Sequence, residues 1–448
     1  MKYNINFYII YGKNGNGKSD DNMTITIDEK VKELMQIIES NNYHIYLVGG
    51  AVRDQIIGRD NKDYDLCTDM PLEKIKKVFP QFVIMRENDH RNTGNMRIGN
   101  VEIEISSFRG KDLKEDLLER DLTMNAVAAD KDGNVIDYFN SVEDIKNKKI
   151  SLVKQDGKGI DVDPLRILRA LRFQGSLGFT LDENAKRIIK EKCHLLNSVA
   201  PERVYNEFLK ILSFKNASEI IRENKEVFCT IIPELEKSIG FEQHNPYHFK
   251  DVFEHTLLVL DNTPNNIYIR LAALFHDLGK PYRFTQGEDG IGHFLGHATV
   301  STDIFHRFAK KYKMDKKTED IVSKLIYEHE NTLSKKSVKM TKFIQKFGRD
   351  HLDLLFRLKE ADIKGQNPKY LGRLEELKEL EELYKKHASS GICMSVKDLK
   401  VNGSTLMNMG FFQKEIGVIL KDVLDQVTCE QLVNSEESIT SYVDKKYK

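Results

Sequence analysis

The chain has 448 residues, too many for one hydrophobic core, so several domains are expected. Its 69 basic residues balance its 69 acidic ones, which leaves only local basic patches as a means of holding nucleic acid. No apolar run approaches the roughly 18 residues of a membrane span, and the start lacks a charged-then-apolar export pattern. Cys67, Cys193, Cys229, Cys393 and Cys429 are scattered without C-x-x-C spacing, so a reduced, cytoplasmic protein without a zinc ribbon is expected.

Residues 1–22 run from an apolar INFYIIY into GKNGNGKSDDN. Gly12, Gly17, Lys18 and Ser19 formally satisfy a P-loop pattern, but that loop needs a helix opening at its lysine. Here Asp20 and Asp21 follow, opposing a phosphate, and residues 23–27 read as β-rich. The segment therefore reads as a flexible extension. Val31, Leu34, Met35 and Ile38 recur at helical spacing. An apolar strand from His44 to Val48 then meets Gly49-Gly50, a pair that lets backbone approach something bulky and exposes N–H groups suited to a triphosphate. Arg53 lies one turn into the next element. Asp63 and Asp65 are two apart, and on a strand they share a face. Paired carboxylates repel unless a cation or proton intervenes, so they suit divalent cations that bridge phosphates and activate a hydroxyl; a plain turn is the bland alternative. From 44 to about 138 short strands and helices alternate. Within Val101–Phe108, Glu102 and Glu104 interleave with apolar residues, so one or both could join the aspartates, or simply line an exposed strand face.

The phrase Val48-Gly49-Gly50-Ala51-Val52-Arg53-Asp54, followed by Asp63-Tyr64-Asp65, resembles the signature of bacterial-type (class II) CCA-adding enzymes and poly(A) polymerases. That resemblance implies an α+β chain: a nucleotidyltransferase head built on a mixed β-sheet with helices, then all-α neck, HD and tail domains. It implies Asp63, Asp65 and, from its distance to Phe108-Arg109, Glu104 as the catalytic carboxylates holding Mg²⁺. Gly49, Gly50 and Arg53 fall to the triphosphate and ribose. Glu119 to Ala126 resembles the second family motif, whose arginine contacts the nucleotide, here Arg120; Glu119 and Leu122 depart from its usual Arg and Phe.

Asp163-Pro164 reads as a helix start with Asp163 as N-cap and Pro164 in the first turn. Arg166, Arg169 and Arg172 then share one face, while Leu165, Leu168 and Phe173 face a core. Taken alone this is a capped basic amphipathic helix. Beside the first motif it resembles the family's nucleotide-selecting helix, which implies that Asp163 and Arg166 read the base edge, separating C or A from G or U, and that Arg169 and Arg172 serve phosphate and site architecture. Val162 stands where the family has Glu. Pro201-Glu202-Arg203 to Glu207 resembles the helix that buttresses the selecting one. Between Arg109 and Arg120 lies only GKDLKEDLLE; family members that add the terminal A carry a long flexible loop there, and CC-adding members lack it.

His255, His276-Asp277 and Asp362 sit in otherwise apolar helical stretches, where such groups are costly to bury unless paired or metal-bound. Their order resembles the HD phosphohydrolase superfamily, implying a divalent transition metal on these four ligands, with His293, His297 and His329 available for a second metal. The segment 372–387 has Leu374, Leu377, Leu380 and Leu383 at spacing three and reads as a solvated spacer or packing helix. Residues 396–448 are helical after the turn signal at Val401-Asn402-Gly403.

The domain reading is a flexible extension at 1–22, head at 23–150, neck at 151–238, HD domain at 239–370 and tail at 371–448. The expected activity is transfer of CMP, giving CC or with AMP full CCA, from CTP and ATP to the 3′ end of tRNA, with phosphoester hydrolysis at the HD site as an addition. A poly(A) polymerase is the first alternative, although the extended basic tail expected of one is missing. The second makes the HD site the main activity and the head an RNA-binding module.

Overall fold

The computed structural model describes residues 23–59, 63–86, 92–390, 392–393 and 395–448, so the P-loop-like pattern at Gly12 to Ser19 lies outside the described residues. Two compact units emerge, one reaching Ile211 and including Asn224–Ile231, the other Leu212–Glu223 with Ile232–Lys448.

In the first unit, Asp28 caps the helix Glu29–Ser40 by accepting the Lys30 N–H, and that helix buries its Val31, Leu34, Met35 and Ile38 stripe. Residues 23–27 are not the β-rich segment expected; they make an isolated bridge, Thr24 to Asn134, before the Asp28 cap turns the chain into helix. Seven strands follow: β1 (Ile45–Val48), β2 (Asp63–Thr68), β3 (Val83–Arg86), β4 (Asn92–Ile98), β5 (Val101–Ser107), β6 (Val127–Ala129) and β7 (Val135–Asp137). They form one mixed sheet in the order β3-β4-β5-β2-β1-β6-β7. The β3–β4 and β4–β5 pairs are antiparallel, while β2 and β5 run parallel at the centre. Parallel pairing needs a long crossover, supplied here by the helix Leu72–Val78 and the strands β3 and β4. Along β5, Val101, Ile103 and Ile105 point into the core and Glu102 and Glu104 point out, the period-2 pattern of a half-buried strand.

The rest of this unit is mostly helical, with one two-residue parallel pairing between Lys149–Ile150 and Thr180–Leu181. The helix Arg166–Leu177 stops at Gly178, whose left-handed backbone (φ +68°) suits glycine at a helix C-terminus. Asp163 is not the N-cap of this helix. Leu165 holds that position without a side-chain cap, and Asp163 ends the preceding helix, Lys158–Val162, in extended backbone. The residue before proline is pushed out of helical conformation, so Asp163 contributes its carbonyl to the Arg166 N–H (3.1 Å) and its carboxylate points elsewhere.

The second unit packs the helices Val252–Asp261, Ile267–Phe275, His297–Lys311, Lys316–Glu328 and Leu352–Gly365 around apolar side chains such as Phe275, Phe305, Leu325 and Phe356. A small hairpin, Thr285–Gln286 with Gly292–His293, interrupts the helices. The helix Arg373–Ser389 buries Tyr384 and Ala388 and leaves most of its surface to charged residues. Beyond it, Leu406, Ile419, Val423, Ile439 and Val443 form a separate core among the last three helices.

Candidate active site and metal cluster

The parallel register of β2 against β5 sets Asp63 beside Glu102 and Asp65 beside Glu104. Period 2 puts all four carboxylates on the same outward face, so two neighbouring strands present a compact acidic array. Burial in the trough around Asp65 pushes its carboxyl up from the ordinary value; Arg120 opposes this and Asp63 adds to it. An array of hard oxygens with one reluctant anion fits a divalent cation such as Mg²⁺.

Asp65 also opens onto a cavity of about 370 Å³, lined by Gly49, Gly50, Asp121, Asn125, Asp163 and Phe173 together with Arg53, Arg109, Arg120, Arg166, Arg169, Arg172 and Arg203. So dense a set of guanidinium groups around three aspartates suits a polyanion. Gly49 is left-handed (φ +68°), and a Cβ there would lie 3.0 Å from Nη1 of Arg120, so only glycine combines this backbone with that close approach. Its N–H is not available to a phosphate, contrary to expectation: it donates to the Val127 carbonyl at 3.0 Å, because the end of β1 remains paired with the start of β6.

The arginines are held by named partners. Arg53 is buried and donates to Asn125 Oδ1 (2.6 Å) and Asp54 Oδ1 (2.9 Å from Nε), with its guanidinium 5.0 Å from the centre of the Phe173 ring. Arg120 donates twice to Asp116, at 3.2 and 3.0 Å. Arg169 donates to Asp121 (2.7 Å), and Arg172 to Glu207 (2.8 Å), which ties the selecting helix to the helix Pro201–Leu212. Burial alone would raise the Asp121 carboxyl, but Arg169 and the hydrogen bond from Asn125 hold it well below the usual range. Arg166, which also lines the cavity, is tied to the second motif. Its Nη1 and Nη2 donate to the carbonyls of Arg120 (3.0 Å) and Glu119 (2.7 Å).

The segment after Arg109 is a built turn. Asp112 caps the helix Leu113–Leu118 by accepting the Glu115 N–H at 2.9 Å, Glu115 accepts the Lys111 N–H at 2.8 Å, and Asp116 accepts the Arg109 N–H at 3.2 Å. No long loop intervenes between Arg109 and Arg120.

In the second unit His255, His276, Asp277 and Asp362 converge. His255 Nε2 lies 3.3 Å from Asp277 Oδ2 and 3.1 Å from Asp362 Oδ1, and His276 Nε2 is 3.2 and 3.9 Å from the same atoms. Both Nε2 atoms are buried without an aligned hydrogen bond. Both Nδ1 atoms face backbone carbonyls, of Gly365 (3.2 Å) and Ala273 (2.8 Å). An Nδ1–H donating to a carbonyl leaves the Nε2 lone pair for a cation, so the donor set fits a metal. The other Asp277 oxygen, Oδ1, meets His297 Nε2 (3.1 Å) and His329 Nε2 (3.6 Å), whose Nδ1 atoms also face carbonyls. Lys280 Nζ sits 2.6 Å from Asp277 Oδ2. Burial works to raise the Asp277 carboxyl, yet the His276 ring and Lys280 hold it well below its ordinary value. His293 does not join the cluster; it lines the adjoining cavity of about 950 Å³ with Lys335, Lys359 and Arg373.

Family models match this layout: a poly A polymerase head domain over residues 45–112 and 109–151, a probable RNA and SrmB-binding site of polymerase A over 178–237, and an HD domain over 246–366. The chain thus carries a poly A polymerase head domain, the RNA-binding segment matched after it, and an HD domain. It is 28% identical over 437 residues to a CCA-adding enzyme of Bacillus licheniformis, covering 93% of this chain and 97% of that one. It is 35% identical over 189 residues to a CC-adding tRNA nucleotidyltransferase of Halalkalibacterium halodurans, covering 42% of this chain and 50% of that one. Its fold is that of the Bacillus stearothermophilus CCA-adding enzyme in complex with CTP, with a TM-score of 0.65 at 22% identity over 93% of this chain and 97% of that one.

Within this nucleotidyltransferase frame, the first unit gathers Asp63, Asp65 and Glu104 on one face and brings Asp65, Gly49, Gly50, Arg53, Arg120, Asp163, Arg166, Arg169 and Arg172 to one cavity wall. Sequence reasoning missed Asp121, Asn125, Arg109 and Arg203 as cavity residues. The four-residue spacing of Asp121 and Asn125 next to Arg120 was a usable signal, since Asn125 Nδ2 donates to Asp121 (3.1 Å). Lys280, three residues after Asp277, was legible as an ion partner on the same principle.

Proposed function

We propose that this protein is a tRNA nucleotidyltransferase that transfers CMP from CTP to the 3′ hydroxyl of tRNA and stops after CC. The observation that carries the reading is the arginine-lined cavity opening at Asp65 onto the acidic array of β2 and β5. Arg53, Arg109 and Arg120 would neutralise and orient the triphosphate, and Asp163 would face the base. Asp63, Asp65 and Glu104 would hold Mg²⁺, which supplies charge neutralisation at the phosphates and acidifies the attacking hydroxyl. The hydroxyl oxygen bonds to the α-phosphorus, the bond to the β-phosphate oxygen breaks, and pyrophosphate departs. The acidic face keeps the reacting hydroxyl among oxygen donors, and the arginine wall stabilises the departing charge.

Stopping after CC is supported by the capped turn between Arg109 and Arg120, in which Asp116 accepts the Arg109 N–H and Glu115 the Lys111 N–H, so that a short built turn stands in place of a long loop. We assign the head to 23–150, neck to 151–238, HD domain to 239–370 and tail to 371–448; the family models at 178–237 and 246–366 fall inside the neck and HD limits, and the one at 45–151 passes the head limit by one residue. For the HD domain, His255, His276, Asp277 and Asp362 suit a transition metal, since imidazole donors favour one over Mg²⁺, with Asp277 Oδ1, His297 and His329 as a second position. The cavity beside it, where Lys335, Lys359 and Arg373 stand among Glu330, Glu376 and Glu379, would admit a phosphoester substrate to the cluster as an additional activity. Five cysteines, none of them in a disulfide, suit a reducing, cytoplasmic setting.

The test incubates the protein with tRNA lacking CCA and with tRNA ending in C or CC, adding labelled CTP and ATP separately and together. Product length should stop at CC. A completed CCA end overturns the stop, and absence of CMP incorporation overturns the transfer reading.

A further inference from the structure

The end of the helix Leu352–Gly365 gives the histidine cluster more than a ligand. Asp362 turns Oδ1 toward His255 and His276, and the Gly365 carbonyl faces His255 Nδ1. Gln366 then donates from Nε2 to the other Asp362 oxygen, Oδ2, at 3.1 Å. Residues three and four apart lie on one face of a helix, so a single turn gathers all of these groups. Gln366 is buried, and its backbone N–H closes the helix on the Ile363 carbonyl.

An amide can present either of its ends, and Arg373 decides which one Asp362 meets. Its Nη1 lies 2.8 Å from Gln366 Oε1. A guanidinium only donates, so the amide oxygen must face it and the NH2 must face Asp362. In the reversed amide Oε1 would meet a carboxylate oxygen and the NH2 a guanidinium, and both contacts repel. Arg373 opens the helix Arg373–Ser389, and its guanidinium stands 5.5 Å from the centre of the Tyr247 ring. Tyr247 packs against Tyr370 with 4.5 Å between ring centres, and its carbonyl accepts the Asn367 N–H at 2.8 Å. The arginine is therefore placed by the segment before His255 and by the segment after Asp362.

We infer that Gln366 and Arg373 are positioning residues of the histidine cluster: Arg373 orients the Gln366 amide, which holds Asp362 Oδ2 and leaves Oδ1 for a cation. This rests on the reading of His255, His276, Asp277 and Asp362 as a metal site. An unheld carboxylate is free to rotate and to turn either oxygen into the adjoining cavity, which Asp362 also lines. A held one presents a single oxygen beside the buried Nε2 atoms of His255 and His276, and its ordering cost is met before the cation binds. The helix that opens the tail thereby completes the HD site.

The test measures the Co²⁺ affinity of the full chain after metal is stripped with a chelator. Co²⁺ suits mixed imidazole and carboxylate donors. The proteins are the wild type, Gln366→Met, Arg373→Met, the double variant and Arg373→Lys, with Asp362→Ala marking the part of the binding curve that belongs to this carboxylate. Gln366→Met should weaken that part by at least about tenfold, as losing a partner that orients a ligand does. Arg373→Met should weaken it by about fivefold, since the amide stays but loses its fixed sense. A direct charge effect has the opposite sign, because removing a positive charge beside a cation tightens its binding. The double variant should lose no more than Gln366→Met alone, because Arg373 acts through the amide. Arg373→Lys should restore most of the affinity, since an ammonium also only donates. CMP incorporation, which belongs to the head, should stay unchanged throughout. The inference is overturned if Gln366→Met binds Co²⁺ as the wild type does, if Arg373→Met binds it equally or more tightly, or if the two losses add. Wild-type protein that binds no Co²⁺ overturns the metal reading itself, and this inference with it.

Discussion

The acidic array of the head and the histidine cluster of the HD domain both gather groups that suit divalent cations, and they do so by opposite means. In the head, the sheet supplies the geometry: Asp63, Asp65, Glu102 and Glu104 project side by side from exposed positions because β2 and β5 run parallel in that register. The donors are all oxygens and their outer sides remain open to a triphosphate and a hydroxyl. In the HD domain the four histidines and Asp277 are buried and Asp362 is half-buried, and backbone carbonyls fix the rings of His255, His276, His297 and His329 through Nδ1. An open oxygen array suits a cation that arrives with its substrate and leaves with product. A preset imidazole cage suits one that stays.

The sharpest way to break this contrast is to remove one acid from the array. Asp63→Ala should lower CMP incorporation by about 1000-fold or more, since the charge stabilisation of the transfer step is lost. Filter binding should show tRNA affinity nearly intact, and the transition-metal content of the purified protein should be unchanged. Equal loss of tRNA binding and incorporation would count against a metal-holding role for Asp63.

The reciprocal change is made at the bridging aspartate. Asp277→Ala should weaken retention of the HD metal by about 100-fold, read as metal content after dialysis by mass spectrometry, while CMP incorporation persists. The variant also leaves Lys280 buried without its partner, which costs about 3 kcal/mol, so Asp362→Ala serves as a second variant with a milder effect on folding. Full metal retention in both variants would remove the case for the cluster.

The two regions also differ in how far they could be read before the fold was known. Local periodicity revealed the helix of Val31, Leu34, Met35 and Ile38 and the shared face of Asp63 and Asp65, because both follow from the repeat of one element. Which of Glu102 and Glu104 neighbours the aspartates depends on register between strands nearly 40 residues apart, and that register brings both, Glu102 beside Asp63 and Glu104 beside Asp65. The hydrogen bonds that hold Arg166 were not legible for the same reason. Helical spacing placed it on the correct face, but its partners are carbonyls of another segment, and a carbonyl leaves no trace in residue identity. In the HD domain the His276-Asp277 pair was legible, whereas the use of both Asp277 oxygens by different histidines depends on the packing of several helices.

The smallest expected effect probes the open character of the acidic array. Burial raises the Asp65 carboxyl above its ordinary value. Without metal the folded chain therefore holds that proton more tightly than the unfolded chain, and stability from this group increases as pH falls through the raised value toward the ordinary one. Above the raised value the full cost of the ionised carboxylate is present, and a cation offsets it. At pH 7.5, Mg²⁺ should raise Tm of the wild type by about 2 °C more than that of Asp65→Asn, which has no charge to neutralise. In chelator the order should invert, with Asp65→Asn melting slightly above the wild type. Lowering the pH into the range where the raised carboxyl takes up its proton should narrow both gaps, because protonation then does part of what the cation does. Gaps of equal size at the two pH values would show that Asp65 is not a strained carboxylate, and the head would then be as preset for its cation as the histidine cluster is.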